Sequence, residues 1–244
     1  MMMNNKLKES FAELIPSVET VFVIRNYLER MLPEGSKILE IGVGNGEVSN
    51  YLAKKYEVHC VDYSEHCLAK LSEQVANKHL INLEVEKIPY SDGFFDAILA
   101  FAVLEHIKNI DHVMREIKRV LKPNGYVFAS TPNINWFPFR IKFLFGMCPE
   151  DFHTADHVHF WNLRWFRKLF TNYGFEIIKQ GTSFGLPNVF YPFVKRYRKE
   201  FLEVYDKYIF IASEKASTIL GYNQFIVAKK TGVNHEDIGN TVRT

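Results

Sequence analysis

Apolar residues recur along this chain with two alternating periods, and the alternation predicts a layered α/β fold. Val18, Val21, Phe22, Ile24, Leu28 and Met31 fall at three- and four-residue spacing, a helical stripe ended by Pro33, Glu34 and Gly35. Ile38, Leu39 and Ile41 then form a short apolar run, as a strand covered on both faces requires. After the turn at 42–46, the spacing predicts a helix through Leu52 to Lys55 and a strand over Glu57–Val61 ending at Asp62. A helix carrying Leu68 and Leu71 follows, opened by Asp62 or Ser64, then a strand over Ile81–Val85 and another over Ala97–Ala100. Val113, Ile117, Val120 and Leu121 share one face of a helix over Asp111–Leu121. Lys122-Pro123-Asn124-Gly125 has turn chemistry and leads to a strand over Tyr126–Ser130.

Past Thr131 the pattern changes. Trp136, Phe137, Phe139, Phe143 and Phe145 punctuate a long aromatic loop that reaches residue 160. Asn162 suits the N-cap of a helix over Leu163–Tyr173, and Gly174 its left-handed stop. Strands are predicted at Phe175–Lys179 and Tyr222–Lys229. Between them Phe193, Val194, Tyr197, Phe201, Val204, Tyr205 and Tyr208 make an apolar helical stripe beside the basic cluster Lys195, Arg196, Arg198 and Lys199. It reads as a cap on the sheet edge, or as an amphipathic face over 187–210 that meets a membrane or an acyl chain. Residues 1–10 and 231–244 are polar ends flanking one domain, 11–230, with additions at 131–165 and 187–220.

Composition narrows the class. A formal net charge of +2 argues against a dedicated nucleic-acid surface. The three cysteines have no C-x-x-C spacing, so a reducing, cytoplasmic setting without a zinc frame is expected. No signal-peptide core and no run of membrane-span length is present.

The chemistry gathers at Glu40-Ile41-Gly42-Val43-Gly44-Asn45-Gly46-Glu47. Strand, glycine turn and helix in that order let a ligand reach main chain without meeting a Cβ. A dinucleotide fingerprint, G-x-G-x-x-G, would place glycine where Glu47 stands. Two carboxylates, Glu40 and Glu47, also disfavour a pyrophosphate, whereas a sulfonium cofactor carries no phosphate. Asp62 stands at the end of the next strand, where one carboxylate can take both hydroxyls of a ribose.

The E-I-G-V-G-N-G block with Asp62 resembles the class I S-adenosylmethionine-dependent methyltransferases. I-P-Y-S-D-G-F-F-D at 88–96, L-E-H-I at 104–107 and L-K-P-N-G-Y at 121–126 extend the resemblance, most closely to UbiE/UbiG-like small-molecule methyltransferases. The resemblance implies a doubly wound, mostly parallel seven-stranded sheet in the order 3-2-1-4-5-7-6, and S-adenosylmethionine as cofactor with S-adenosylhomocysteine as product. It implies cofactor contacts from Glu40, Gly42, Gly44, Asn45, Gly46 and Asp62, with Tyr63 against the adenine and Ala100 and Phe101 at the end of strand 4. The adenine amino group would meet Glu84, five residues before Pro89, or Glu86, and a ring nitrogen the main chain of Val85 or Glu86.

His106 is then the candidate proton acceptor, with His157 and His159 as alternatives. His153, His157, His159, Asp151 and Asp156 invite a metal reading, but no helical H-E-x-x-H spacing supports one, and no metal is expected. The expected activity is O-methylation of a small molecule, a lipid or quinone precursor, or a glycan-type acceptor. A binding module that kept the fold without turnover and a nicotinamide-dependent oxidoreductase are the alternatives.

Overall fold

The computed structural model describes residues 18–147, 156–183 and 221–231. The expectations for 1–10, for the stripe and lipid-facing surface at 187–210 within 187–220, and for the tail beyond Thr231 lie outside those residues. Helix α1 begins as an α-helix, Val18–Val23, widens into a π-helical stretch, Ile24–Leu28, and closes with an α turn, Glu29–Met31. In chain order there follow β1 (Lys37–Ile41), α2 (Glu47–Leu52), β2 (Glu57–Asp62), α3 (Glu65–Leu68), β3 (Asn77–Leu80) and β4 (Phe95–Phe101). Next come a 3₁₀ turn (Leu104–His106), α4 (Ile110–Val120), β5 (Leu121–Pro132), α5 (Phe137–Leu144), α6 (Leu163–Asn172), β6 (Phe175–Ser183) and β7 (Asn223–Lys230).

The strands form one seven-stranded sheet in the order β3-β2-β1-β4-β5-β7-β6, parallel except where β7 runs antiparallel to β5 and β6. Period-two alternation sorts the central strands into two cores. Ile38, Leu99 and Phe128 pack on the face that carries α1, with Phe22 and Leu28. Leu39, Ile98 and Val127 pack on the other, with Val113 and Ile117 of α4 and Phe166 and Phe170 of α6. The strand order reverses between β1 and β4, and open α/β sheets bind ligands in the crevice beyond that switch point.

Three elements differ from expectation. β3 is Asn77–Leu80, not Ile81–Val85. It is an edge strand of Asn, Lys, His and Leu, and edges of this kind stay polar to avoid pairing with other chains, so the apolar run beside it drew the prediction off. β6 runs on through Gly181, Thr182 and Ser183, which pair with Phe225, Gln224 and Asn223 of β7. The aromatic loop contains α5, with Pro in its first turn. Among the described residues no helix is long and apolar enough to cross a membrane.

Candidate active site

The glycine turn leaves β1 at Ile41 and is fastened at once to β2, because the Gly42 N–H donates to the Val61 carbonyl at 3.0 Å. Gly42 and Gly44 both hold positive φ, 73° and 54°. A Cβ on Gly42 would stand 2.7 Å from Val103 Cγ2, whereas one on Gly44 would meet nothing within 4 Å. Gly42 is therefore a packing requirement of the fold, and Gly44 borders open space.

Asp62 braces this turn from the next strand. Its Oδ2 accepts from the Val43 N–H and its Oδ1 from the Ser64 N–H, each at 2.8 Å. Ser64, not Asp62, caps α3, its hydroxyl accepting from the Cys67 N–H. The N–H groups of Tyr63 and Gly44 also face the carboxylate. Burial raises the Asp62 carboxyl above its ordinary value, against the pull of the Ser64, Val43, Tyr63 and Gly44 N–H groups. Tyr63 beside it is 65% exposed, at the rim of the crevice.

Glu40 lies under the turn rather than in it. It is buried, and the Ser49 hydroxyl of α2 donates to its Oε2 while standing 2.9 Å from Cys60 Sγ. Alternation along β1 explains the placement, since Glu40 points to the same face as Ile38. The described bond of Glu40 therefore runs to α2. Burial pushes the Glu40 carboxyl up to about 8, with the Asp62 charge adding to the rise and the Ser49 bond opposing it. An unfolded glutamate titrates near about 4.3, so between that value and about 8 the folded state holds a proton that the unfolded chain has lost. Stability should fall as pH rises through that window. Glu40→Gln should flatten the fall, as read from urea midpoints at about pH 5 and about pH 8; an unchanged slope would put the titration elsewhere.

The expected adenine contacts are redirected. With β3 ending at Leu80, residues 84–86 form a turn beyond the strand. The Glu84 carboxylate accepts the N–H groups of Lys108 and Asn109, each at 2.7 Å, and so anchors the start of α4. The N–H groups of Val85 and Glu86 both donate to the Asn82 carbonyl, and Glu86 Oε1 accepts from the Asn82 N–H. Ile81 and Asn82 instead follow the strand directly, with the Ile81 N–H on the Asp62 carbonyl at 3.0 Å. No spacing in the sequence marked them.

On the β4 side, Ala100 is buried and Phe101 half-buried. Ala102 has φ 49° and donates its N–H to the Ser130 carbonyl at 3.0 Å. A left-handed alanine costs about 1–2 kcal/mol, and Val103 packed on Gly42 together with Ser130 hold it there. The 3₁₀ turn follows, and the Glu105 carbonyl accepts the N–H groups of Val158 at 2.8 Å and His159 at 3.1 Å. Those two bonds dock the 156–159 segment on the turn. His157 thereby meets His106, their ring centroids 4.5 Å apart, and the Asp156 carboxylate lies 3.7 Å from His106 Nδ1. Burial lowers the His106 pKa below its ordinary value, and Asp156 opposes the shift. His159 goes elsewhere, with Nε2 2.9 Å from the Ile107 carbonyl and its ring stacked on Trp161. Glu105, which no motif singled out as a site residue, is 1% exposed and completes a group with His106 and His157 whose ligating atoms lie within 4.8 Å of one another. The expectation of no metal rested on local spacing, which does not report a group of this kind. The group assembles across fifty residues of sequence, where local spacing carries no signal.

Residues 19–180 match a family described as a methyltransferase domain, over more than half of the chain. The chain belongs to that family. A malonyl-[acyl-carrier protein] O-methyltransferase from Marinomonas sp. (strain MWYL1) is 28% identical over 145 residues, covering 56% of this chain and 52% of that protein. The ubiquinone/menaquinone biosynthesis C-methyltransferase UbiE of Cupriavidus metallidurans is 29% identical over 114 residues, 43% of this chain and 47% of that one. The chain thus spans about half the length of these curated relatives. A crystal structure of an S-adenosylmethionine-dependent methyltransferase from Archaeoglobus fulgidus superposes with a TM-score of 0.60 at 18% identity, covering 93% of this chain and 99% of the other, a likeness of fold.

The family's cofactor is S-adenosylmethionine, and the crevice suits it. Gly44 borders open space, the Asp62 carboxylate stands against the turn, and Tyr63 presents a ring at the rim. The missing third glycine at Glu47 already weighed against a dinucleotide, and family membership decides the matter.

Proposed function

We propose that this methyltransferase-family protein methylates an oxygen of a small acceptor, a lipid or quinone precursor or a glycan-type molecule. The observation that carries the reading is the half-buried His106 held beside Asp156 and His157 at the carboxyl end of β4, one turn from Val103, which packs on Gly42. When bound, S-adenosylmethionine supplies a methyl carbon already activated on a sulfonium. The remaining work falls to the chain. Asp62 and the 42–46 turn orient the donor, and positioning of this kind is worth about 7–11 kcal/mol. His106 takes the acceptor's proton, a contribution of about 10²–10⁴-fold. The unpaired thiols of Cys60 and Cys67 support a reducing, cytoplasmic setting.

His106→Ala should lower kcat by about 10²–10⁴-fold and leave S-adenosylhomocysteine affinity within about twofold. The test is single-turnover kinetics on acceptors found by screening extracts with labelled cofactor. Cofactor affinity that falls as far as kcat does would make His106 a structural residue. Cofactor binding without any product across such a screen would favour the module that kept the fold without turnover.

A further inference from the structure

We propose that Glu105, His106 and His157 form a binding site for one divalent transition-metal ion at the acceptor end of the crevice. The three side chains bring a carboxylate oxygen and two imidazole nitrogens within 4.8 Å of one another. Ligands bound at about 2.0–2.2 Å lie roughly 3–3.5 Å apart, so small side-chain rotations close the set around an ion. The arrangement is built and not fortuitous. Glu105 and His106 are adjacent in a 3₁₀ turn, and His157 is delivered by the two main-chain bonds that its neighbours Val158 and His159 make to the Glu105 carbonyl. Glu105 is 1% exposed, and a carboxylate buried against two imidazoles matches the charge of a dication. Asp156, 3.7 Å from His106 Nδ1, stands where a carboxylate orients a ligating imidazole or adds a fourth donor.

The donor set selects the ion. Two imidazoles favour zinc, iron, nickel or copper over magnesium, calcium or manganese, which prefer oxygen ligands. Three protein ligands leave coordination positions open for an acceptor oxygen. The proposal deepens the O-methylation reading and rests on it for its catalytic consequence, though ion binding itself does not depend on it. A hydroxyl bound at the open position would lose its proton to water at neutral pH, as metal-bound oxygens do. Its oxygen then forms the bond to the methyl carbon, and the pair from the broken C–S bond stays on sulfur, so the step needs no oxidant or reductant. Without the ion His106 takes the acceptor's proton as proposed above; with the ion bound, His106 is a ligand and the ion acidifies the acceptor in its place.

The experiment uses the full chain, stripped by dialysis against a chelator and titrated calorimetrically with Zn²⁺, Mn²⁺ and Mg²⁺. One equivalent of Zn²⁺ should bind, with Mn²⁺ and Mg²⁺ at least about tenfold weaker. His157→Ala should lose about 100-fold or more in Zn²⁺ affinity, and His66→Ala, at an exposed histidine outside the group, should lose none. In the wild type, substitution by Co²⁺ should give the visible absorption of a nitrogen- and oxygen-ligated ion, a readout independent of how well any variant folds. The absence of saturable binding at one equivalent, or equal affinity in His157→Ala, overturns the site. S-adenosylhomocysteine is titrated in parallel: cofactor binding without metal binding overturns this inference alone, and failure to bind cofactor overturns the methyltransferase reading itself.

Discussion

Asp62→Ala should weaken S-adenosylhomocysteine binding by about a hundredfold or more. Hydrogen bonds to a charged group contribute about 1.5–3 kcal/mol each, so losing two from a ribose diol removes about 3–6 kcal/mol, or 10²–10⁴ in affinity. A second loss adds to the first. The Val43 and Ser64 N–H groups now satisfied at 2.8 Å would have no acceptor, and the turn would lose its brace from β2. Asp62→Asn should fall between, because its amide oxygen can still accept from one of the two N–H groups while its NH2 cannot accept from the other. Calorimetric titration reads both variants, and wild-type affinity in Asp62→Ala would remove the carboxylate from the site.

Two glycines separated only by Val43 should behave in opposite ways. Gly44→Ala should keep most of its stability and lose about tenfold or more in cofactor affinity. Its left-handed φ costs an alanine about 1–2 kcal/mol, but the new methyl meets no protein atom within 4 Å and enters the space assigned to ligand. Gly42→Ala carries the same backbone cost plus a contact of 2.7 Å with Val103 Cγ2. Overpacking adds about 1–3 kcal/mol, so this variant should melt several degrees lower. Thermal denaturation and calorimetry on the same two preparations separate the effects. Full cofactor affinity in Gly44→Ala would mean that the ligand does not lie over that residue.

Much of the frame was legible because it depends on local periodicity. Ile38, Leu39 and Ile41 predicted β1, Asn162 and Gly174 bounded the helix that became α6, and the Lys122–Gly125 turn appears as the register shift between Phe95 and Ala97 opposite β5. The same alternation could have placed Glu40, since a residue two after Lys37's neighbour Ile38 shares its buried face. The resemblance drew it instead toward the ligand. What failed depends on contacts distant in sequence. Nothing near Glu84 shows that Lys108 and Asn109 will claim its carboxylate. The polar run Asn77-Lys78-His79 gave no sign of a strand, because an edge needs little apolar surface. The meeting of His106 with His157 follows from two main-chain bonds to the Glu105 carbonyl, which side-chain pattern cannot encode.

The left-handed Ala102 had no sequence signal either, yet it marks the crevice as plainly as the glycines do. Strain held between Ser130 and the Gly42–Val103 contact sets the path of the chain into the 3₁₀ turn, and so sets where Glu105 and His106 stand. Donor side and acceptor side are thereby joined through one packing contact.

A crystal structure of the full chain grown with S-adenosylhomocysteine tests the central claim most directly. The account predicts both ribose hydroxyls within about 2.6–3.0 Å of the Asp62 carboxylate and the ligand's chain lying over Gly44. An empty turn at saturating ligand, or a ribose held by residues other than Asp62, would contradict it.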